Sequence, residues 1–333
     1  LIWTLSGTSG TPFVKTGTST ASTSTVSYTG NNTGGNTTIT TATYNNLTLN
    51  NSSETYVLAA ATTVSGTVTI TAGTLDTVSG QNYGLTVGGS FSNAGTFTAR
   101  SGTVTFNATT TGKTITTGGS SFYDLTLNGS GGGWTLQDTT TVSDVLTITA
   151  GTLDAGSVTL TLSGATGIPF VKTGTFTAST STVSYTGNYA SGNTTVVGTT
   201  YYSLTLNNGS ETYALGGDTT VANVLTTTAG TLDASSYTLT LSGTTGTPFS
   251  NSGTFTASTS TVSYTGNNTG GNTTVTTVTY NNLTLNNSSE TYVLAAATTV
   301  SGNLTITAGT LDAVSGQNYG LSIGGNWSNS GTF

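Results

Sequence analysis

Apolar and polar residues alternate in short strings along the whole chain. In VTI (68–70), LTL (125–127), LTI (146–148) and LTL (239–241), aliphatic side chains point to one side of the chain and threonine to the other. β-branched residues dominate these strings, and clusters of Gly, Asn and Ser such as TGNNTGGN (29–36) separate them. Helical spacing is not seen. The pattern therefore predicts an all-β chain of half-buried strands joined by turns.

The strings recur with a period of about 79 residues, and four kinds of position mark each repeat. They are the valine of TVSY or TVTF (Val26, Val104, Val183, Val262), the first leucine of LTLN (Leu47, Leu125, Leu204, Leu283), the aspartate of AGTLD (Asp76, Asp154, Asp233, Asp312) and the phenylalanine of GTF (Phe97, Phe176, Phe255). The repeat units are approximately 1–21 (partial), 22–99, 100–178, 179–257 and 258–333. Residues 1–97 also match residues 237–333 at an offset of 236, so three repeats form a super-repeat.

A shorter period lies within each repeat. Val26, Leu47, Val68 and Leu85 begin similar strings, which indicates four coils of about 20 residues per repeat. Strands that resemble one another are typical of a solenoid, where each strand stacks on its equivalent in the next coil. We therefore expect one continuous parallel β-helix (β-solenoid) over residues 1–333. The alternative is a series of tandem β-sandwich domains, one for each repeat.

Composition narrows the range of functions. The chain has 88 Thr, 40 Ser, 46 Gly and 28 Asn in 333 residues, 5% charged residues and a net charge of −7. Four cations cannot form the basic surface that nucleic acid or an anionic membrane requires, and no apolar run is long enough to span a membrane. The chain has no His, no Cys and no Met. We therefore expect no metal, no cofactor and no enzymatic activity.

The few charged residues are expected to have structural roles. The AGTLD aspartates recur once per repeat, too far apart for paired acid–base chemistry, and a turn role is favoured. Glu54, Glu211 and Glu290 follow the same reasoning and are interpreted as solvated turn charges, with Gly132 at this place in the second repeat. Lys15 and Lys172 are interpreted as surface lysines. The tyrosines that accompany the strands are expected to stack within the core rather than bind sugar.

Three prolines mark the longest coil type. Pro12, Pro169 and Pro248 lie in TPFVKTG, IPFVKTG and TPFSNSG. Proline cannot donate a hydrogen bond to a strand ladder, so these segments are expected to leave the sheet and form protruding loops.

The pattern AGTLD…LTVGGSFSNAGTFTARSGTVTFNAT…FYDLTLNGS resembles the β-strand repeats of bacterial surface and secreted proteins rich in Thr, Ser, Gly and Asn. These are parallel β-helix proteins, broadly similar to autotransporter passengers and filamentous-haemagglutinin-type adhesins. The resemblance covers essentially the whole chain and rests on repeat pattern and composition. It implies a secreted, cell-surface or fibrous role.

These observations favour a structural subunit of an extracellular or cell-surface fibre that associates with itself by solenoid stacking. The alternative is an adhesin stalk or a carbohydrate-binding surface that contacts glycans or other cells. Two further hypotheses are less favoured. Ice binding uses flat threonine arrays, which variable coil lengths are expected to interrupt, and a polysaccharide-degrading enzyme would need clustered carboxylates.

Overall fold

The computed structural model describes residues 1–17 and 22–333. The chain is an all-β parallel β-solenoid of about 15 turns with roughly 21 residues per turn. Every strand pair described is parallel, and the described residues contain no helix. The predicted fold class is thus confirmed, and the alternative of β-sandwich domains, which are built from antiparallel sheets, is wrong.

The chain divides into two compact units. The first unit comprises Leu1–Ser163 with Val171–Ser179, and the second comprises Gly164–Phe170 with Thr180–Phe333. Each unit has the same kind of construction. A continuous solenoid over residues 1–333 stays a prediction.

The strands from the start of the chain to Thr177 are β1 (Ile2–Leu5), β2 (Thr25–Tyr28), β3 (Thr37–Ile39), β4 (Thr43–Tyr44), β5 (Asn46–Leu58), β6 (Thr62–Val64), β7 (Val68–Asp76), β8 (Leu85–Val87), β9 (Phe91–Asn93), β10 (Thr96–Thr98), β11 (Thr103–Phe106), β12 (Lys113–Thr116), β13 (Asp124–Leu136), β14 (Thr140–Val142), β15 (Leu146–Asp154), β16 (Thr159–Leu162), β17 (Phe170–Lys172) and β18 (Thr175–Thr177).

The strands from Thr182 onwards are β19 (Thr182–Tyr185), β20 (Thr194–Val196), β21 (Thr200–Tyr201), β22 (Ser203–Leu215), β23 (Thr219–Val221), β24 (Leu225–Asp233), β25 (Thr238–Leu241), β26 (Phe249–Asn251), β27 (Thr254–Thr256), β28 (Thr261–Tyr264), β29 (Thr273–Val275), β30 (Thr279–Tyr280), β31 (Asn282–Leu294), β32 (Thr298–Val300), β33 (Leu304–Asp312), β34 (Leu321–Ile323) and β35 (Trp327–Asn329).

Most strands of the first unit pair in three columns, where a column is a series of strands that pair with each other in successive turns. In addition, β14 pairs with β16, and β17 pairs with β15. The first column contains β1, β2, the first halves of β5 and β7, β9, β12, the second halves of β13 and β15, and β18. The second contains β3, the second halves of β5 and β7, and β10. The third contains β4, β6, β8, β11 and the first halves of β13 and β15.

The second unit repeats this arrangement. One column contains β21, β23, β25, β28, the first halves of β31 and β33, and β35. Another contains β19, the first halves of β22 and β24, and β26. A third contains β20, the second halves of β22 and β24, and β27. The remaining series are β29 with the second halves of β31 and β33, and β30 with β32 and β34.

The core of each unit consists of inward rows of aliphatic and aromatic side chains. In the third column of the first unit, Leu85, Val104, Leu125 and Leu146 stack turn upon turn with no more than 1% of each residue exposed. Burial of one such side chain contributes about 1.5–3 kcal/mol relative to exposure. Like side chains can repeat in this way because successive strands lie about 4.8 Å apart.

A glycine shapes the corner where the two long strands of a repeat bend. Between Asn50 and Thr55 of β5, four residues lie opposite the single residue Gly73 of β7. Gly73 has φ +87°, and a Cβ there would clash with the carbonyl oxygen of Asn51. Only glycine tolerates both demands, which explains the glycine of every AGTLD motif.

The number of turns per repeat differs from the expected four. The nine strands β2 to β10 give eleven strand segments, because β5 and β7 each serve two columns. Eleven segments in three columns make three and two-thirds turns. Four turns would require Leu85 to follow Val68 in the same column. Leu85 instead pairs with Val104 in the third column, and Phe91 follows Val68 in the first.

Thr227 is a buried threonine without a hydrogen-bond partner, and its neighbours on the adjacent strands are Leu206 and Asn251. Thr227 is fully buried in the strand position that isoleucine occupies in the other repeats, and its hydroxyl is unsatisfied. A buried hydroxyl without a partner destabilises the fold. Other buried threonines avoid this cost where their hydroxyls donate to a carbonyl two residues earlier, as in Thr62, Thr140, Thr219 and Thr298. The buried hydroxyls of Thr37, Thr194 and Thr273 have no partner either.

We expect Thr227→Val to raise the free energy of unfolding by about 1 kcal/mol, because a methyl group replaces the unsatisfied hydroxyl in nearly the same volume. Denaturant unfolding followed by circular dichroism measures the change. Thr226→Val is the matched control, since Thr226 is the adjacent outward residue and is half-buried. A lower midpoint for Thr227→Val would contradict the expectation.

Candidate functional site

The most elaborate polar site is a buried carboxylate that holds a long loop. Glu54 lies in the corner of β5 and is only 3% exposed. Its Oε2 accepts a hydrogen bond from the backbone amide of Asn32 at 2.6 Å, and its Oε1 accepts one from the amide of Thr37 at 2.9 Å. Asn32 lies within the loop between β2 and β3, and Thr37 is the residue of β3 at which this loop ends. The carboxylate therefore closes this loop with charge-assisted hydrogen bonds.

The same brace occurs in two other repeats. Glu211 accepts hydrogen bonds from the amides of Tyr189 at 2.6 Å and Thr194 at 3.0 Å. Glu290 accepts them from Asn268 at 2.5 Å and Thr273 at 2.9 Å. Both carboxylates are 3% exposed. The interpretation of these glutamates as solvated turn charges is therefore wrong, because their oxygens are buried and engaged by backbone amides.

The second repeat shows what happens without the glutamate. Gly132 occupies the position, and a Cβ there would clash with the carbonyl oxygen of Ala108. The loop between β11 and β12 spans residues 107–112 and is shorter than the loop at residues 29–36. The glutamate thus accompanies the longer loop, and the shorter loop closes against glycine directly.

Below the braced loops, three buried tyrosines form a linked set. The hydroxyls of Tyr28 and Tyr44 lie 3.1 Å apart, and the Tyr44 hydroxyl donates to the carbonyl oxygen of Thr40 at 2.7 Å. The Tyr56 hydroxyl donates to the carbonyl oxygen of Tyr28 at 3.1 Å. Burial, with the nearby Glu54 charge as a second cause, raises the pKa of Tyr56 to about 12. Burial also raises the pKa of Tyr28 and of Tyr44.

Equivalent tyrosines occur in the third and fourth repeats, whereas the second repeat has aromatic residues without hydroxyls. The equivalents are Tyr185, Tyr201 and Tyr213, and then Tyr264, Tyr280 and Tyr292. In the second repeat, the ring of Phe106 lies 6.3 Å from that of Phe122 and 6.1 Å from that of Trp134. All these rings are buried, which confirms the expected core role for them. Tyr123 and Tyr202 are only half-buried, because the adjacent Phe122 and Tyr201 take the core positions.

The AGTLD aspartates make local turn contacts. Asp76, Asp154, Asp233 and Asp312 each accept a hydrogen bond through Oδ1 from the backbone amide two residues later, at 2.7–2.8 Å. This is the turn contact that the sequence favours. Arg100 also pairs with Asp76 at 2.7 Å, and it lowers the pKa of that carboxyl.

The repeat valines, leucines and most of the phenylalanines lie in the core. Val26, Val104, Val183, Val262, Leu47, Leu125, Leu204, Leu283, Phe97 and Phe176 are buried, and Phe255 is half-buried. Sequence reasoning missed Phe91, which lies 5.5 Å from Phe97 by ring centroids and heads a strand equivalent to β26. The repeated FSN at residues 91–93 and 249–251 was the signal that could have identified it.

The prolines are not at the tips of protrusions. Pro169 and Pro248 are buried and Pro12 is half-buried. The carbonyl oxygen of Pro248 accepts a ladder hydrogen bond from the amide of Leu225 at 2.9 Å, so the proline begins the strand rather than leaving it. The preceding residue is the exposed one, as Ile168 shows with 52% exposure. The expectation that these segments leave the sheet is therefore wrong for the second and third of them, where Phe170–Lys172 and Phe249–Asn251 are strands.

Over residues 1–17 and 22–333, no group of three or more His, Cys, Asp and Glu side chains is placed to hold a metal ion. Within the same residues, no helix has the length and hydrophobicity needed to cross a membrane. Comparison with protein-family models, curated proteins and solved structures gives no match. The structure shows a β-solenoid in which many strands begin with threonine.

We expect Glu54→Ala to loosen the loop at residues 29–36, because each charge-assisted hydrogen bond that it removes contributes about 1.5–3 kcal/mol. Hydrogen exchange measured on the amides of Asn32 and Thr37 should become faster by at least about tenfold, which corresponds to about 1.4 kcal/mol. Ser53→Ala, at the exposed neighbouring position, is the matched control. Unchanged exchange at both amides in Glu54→Ala would overturn the bracing role.

The tyrosine sets predict alkaline unfolding. Each buried hydroxyl has a pKa above its unfolded value of about 10, so its stabilising effect is complete below about pH 10 and is lost as the pH rises towards the folded pKa. Tyrosinate absorbance should therefore rise for the buried residues only together with loss of the circular dichroism signal. Reversible ionisation of all 15 tyrosines near their ordinary pKa in the folded protein would contradict this expectation.

Proposed function

We propose that the chain is a structural subunit of an extracellular or cell-surface fibre, in which copies associate through stacking of their solenoid turns. The observation that carries the proposal is the parallel pairing of strands from turn to turn within each unit. A turn of one copy can pair with a turn of another by the same backbone hydrogen bonds that join turns within a copy.

The super-repeat supports stacking in register. Residues 237–333 match residues 1–97 at an offset of 236, with substitutions at some positions. If two copies stack end to end, the turns that meet therefore carry side chains similar to those that stack on each other within one copy. Rows of Val, Leu, Thr and Asn tolerate a separation of about 4.8 Å between like side chains.

Low charge supports the same proposal. Like charges directly opposite each other on neighbouring strands destabilise a sheet, and charged residues are only 5% of this chain. The carboxylates of Glu54, Glu211 and Glu290 are occupied by backbone amides, which suits a role in shape rather than in catalysis. We infer that the protein is not an enzyme and requires no cofactor.

The braced loops favour an adhesin stalk as the second candidate. Loops 29–36 and 265–272 each carry Asn and Gly residues at the surface, while a buried carboxylate holds each loop in place. An ordered polar loop loses little conformational entropy on binding, which suits recognition of a glycan or of another cell's surface.

Electron microscopy of the full chain, with an axial power spectrum, tests the fibre. We expect filaments with a layer line near about 4.8 Å and, from eleven turns per three repeats, a longer repeat of about 53 Å. Filament mass should rise with protein concentration. Single particles that stay separate at high concentration would reject self-association and leave the adhesin stalk as the better proposal.

A further inference from the structure

One face of the first unit has a ladder that stays in register over six strands. β1, β2, the first halves of β5 and β7, β9 and β12 pair in order, with no register shift within these segments. Their inward row is formed by Trp3, Val26, Leu47, Val68, Phe91 and Ile115, and all of these except Trp3 are buried. The outward residues on either side of this row therefore form two parallel rows on the surface.

One outward row consists entirely of residues with hydroxyl groups, and the other has four such residues among six. We call this surface the hydroxyl face. Its first row is Thr4, Ser27, Thr48, Thr69, Ser92 and Thr116. Its second row is Ile2, Thr25, Asn46, Thr67, Ser90 and Thr114. The spacing is about 4.8 Å along a row and about 6.7 Å between rows, two residues apart on each strand. Neither of these rows contains a charged or aromatic side chain.

The side chains of the first row are free to bind an external partner. No side chain in this row forms a hydrogen bond with another described residue, and all except Ser27 are exposed or half-buried. In the second row, the Asn46 and Ser90 side chains accept hydrogen bonds from the amides of Thr67 and Thr114, at 2.8 Å and 3.1 Å. These two bonds hold the strands in register and leave the threonine hydroxyls of that row without a partner among the described residues.

Variable coil length does not interrupt this face. The sequence separation between neighbours in the second row is not constant, and it is longest between Ser90 and Thr114. The extra residues lie in corners and loops outside the paired segments, and the ladder continues across them. The expectation that irregular coils break up the threonine array is therefore wrong for this face.

We propose that the hydroxyl face binds ice. A two-dimensional lattice of fixed hydroxyl groups can donate to and accept from a lattice of ordered water, while the threonine methyl groups between them bind no water. Ordered water is favoured over a protein partner because Ser and Thr are under-represented among the residues that stabilise protein interfaces. It is favoured over sugar because the two rows have no exposed aromatic ring on which a sugar could stack.

Uptake of the full-length protein into a slowly growing ice hemisphere, together with thermal hysteresis, tests this proposal. We expect the wild-type protein to enter the ice and Thr48→Tyr and Thr69→Tyr to lose most of both activities, because the bulky ring lifts the lattice off the surface. Thr105→Tyr and Thr126→Tyr are matched controls. They are outward threonines of the third column, where the flanking positions include Asp124, Gly88 and Asn107 instead of a second hydroxyl row.

Exclusion of the wild-type protein from ice would overturn the proposal. Equal loss in both pairs of variants, with unchanged melting temperatures, would overturn the assignment to this face. If the Thr69→Tyr substitution instead changes the sedimentation of the protein while ice uptake is absent, the face binds a second copy and not ice. None of these outcomes depends on filaments, so the failure of the fibre proposal remains distinguishable.

Discussion

The pairing of each turn with the turns next to it is the constraint on which the other features depend. A parallel ladder places residues of equivalent turns about 4.8 Å apart, so each position must tolerate a near copy of itself on both sides. Aliphatic rows meet this demand inside, and threonine rows meet it outside. The scarcity of charge follows from the same demand. Where a buried charge does occur, as at Glu54, it lies in a corner and is stabilised by backbone amides.

The fold could be predicted from the sequence because strand alternation and repetition are local signals. In strings such as those at Val26 and Leu47, the alternation of apolar and polar residues shows which side chains point inwards. The similarity of the strings indicates that they stack on each other. The column to which a strand belongs cannot be read from its own residues. The sequence pattern therefore groups Leu85 with Val68, although Leu85 pairs with Thr62 and Val104 in a different column. The role of Glu54 was also hidden, because its two partner amides lie 17 and 22 residues earlier in the chain. The shorter loop beside Gly132 was the one available indication.

Polar chemistry in this protein is divided between corners and faces. The corners use carboxylates and tyrosine hydroxyls internally, as in the Glu54 brace and the Tyr28–Tyr44 pair, and these groups are not available to a substrate. The hydroxyl face keeps its side chains regularly spaced at the surface, and all of them except Ser27 are exposed or half-buried. Fibre formation and ice binding would therefore draw on different parts of the molecule, the backbone edges of turns for the first and the outward side chains for the second.

The fractional number of turns per repeat bears on how such a chain can evolve by duplication. Gain of a single repeat moves every later segment to the next column, so an outward surface assembled on one side would be dispersed over three. Gain of three repeats adds eleven whole turns and preserves the surface. Recombination in blocks of one super-repeat is therefore the neutral step. Residues 44–66 are identical to residues 280–302, whereas the second and third repeats differ from both. Duplication in blocks of three repeats would produce this pattern.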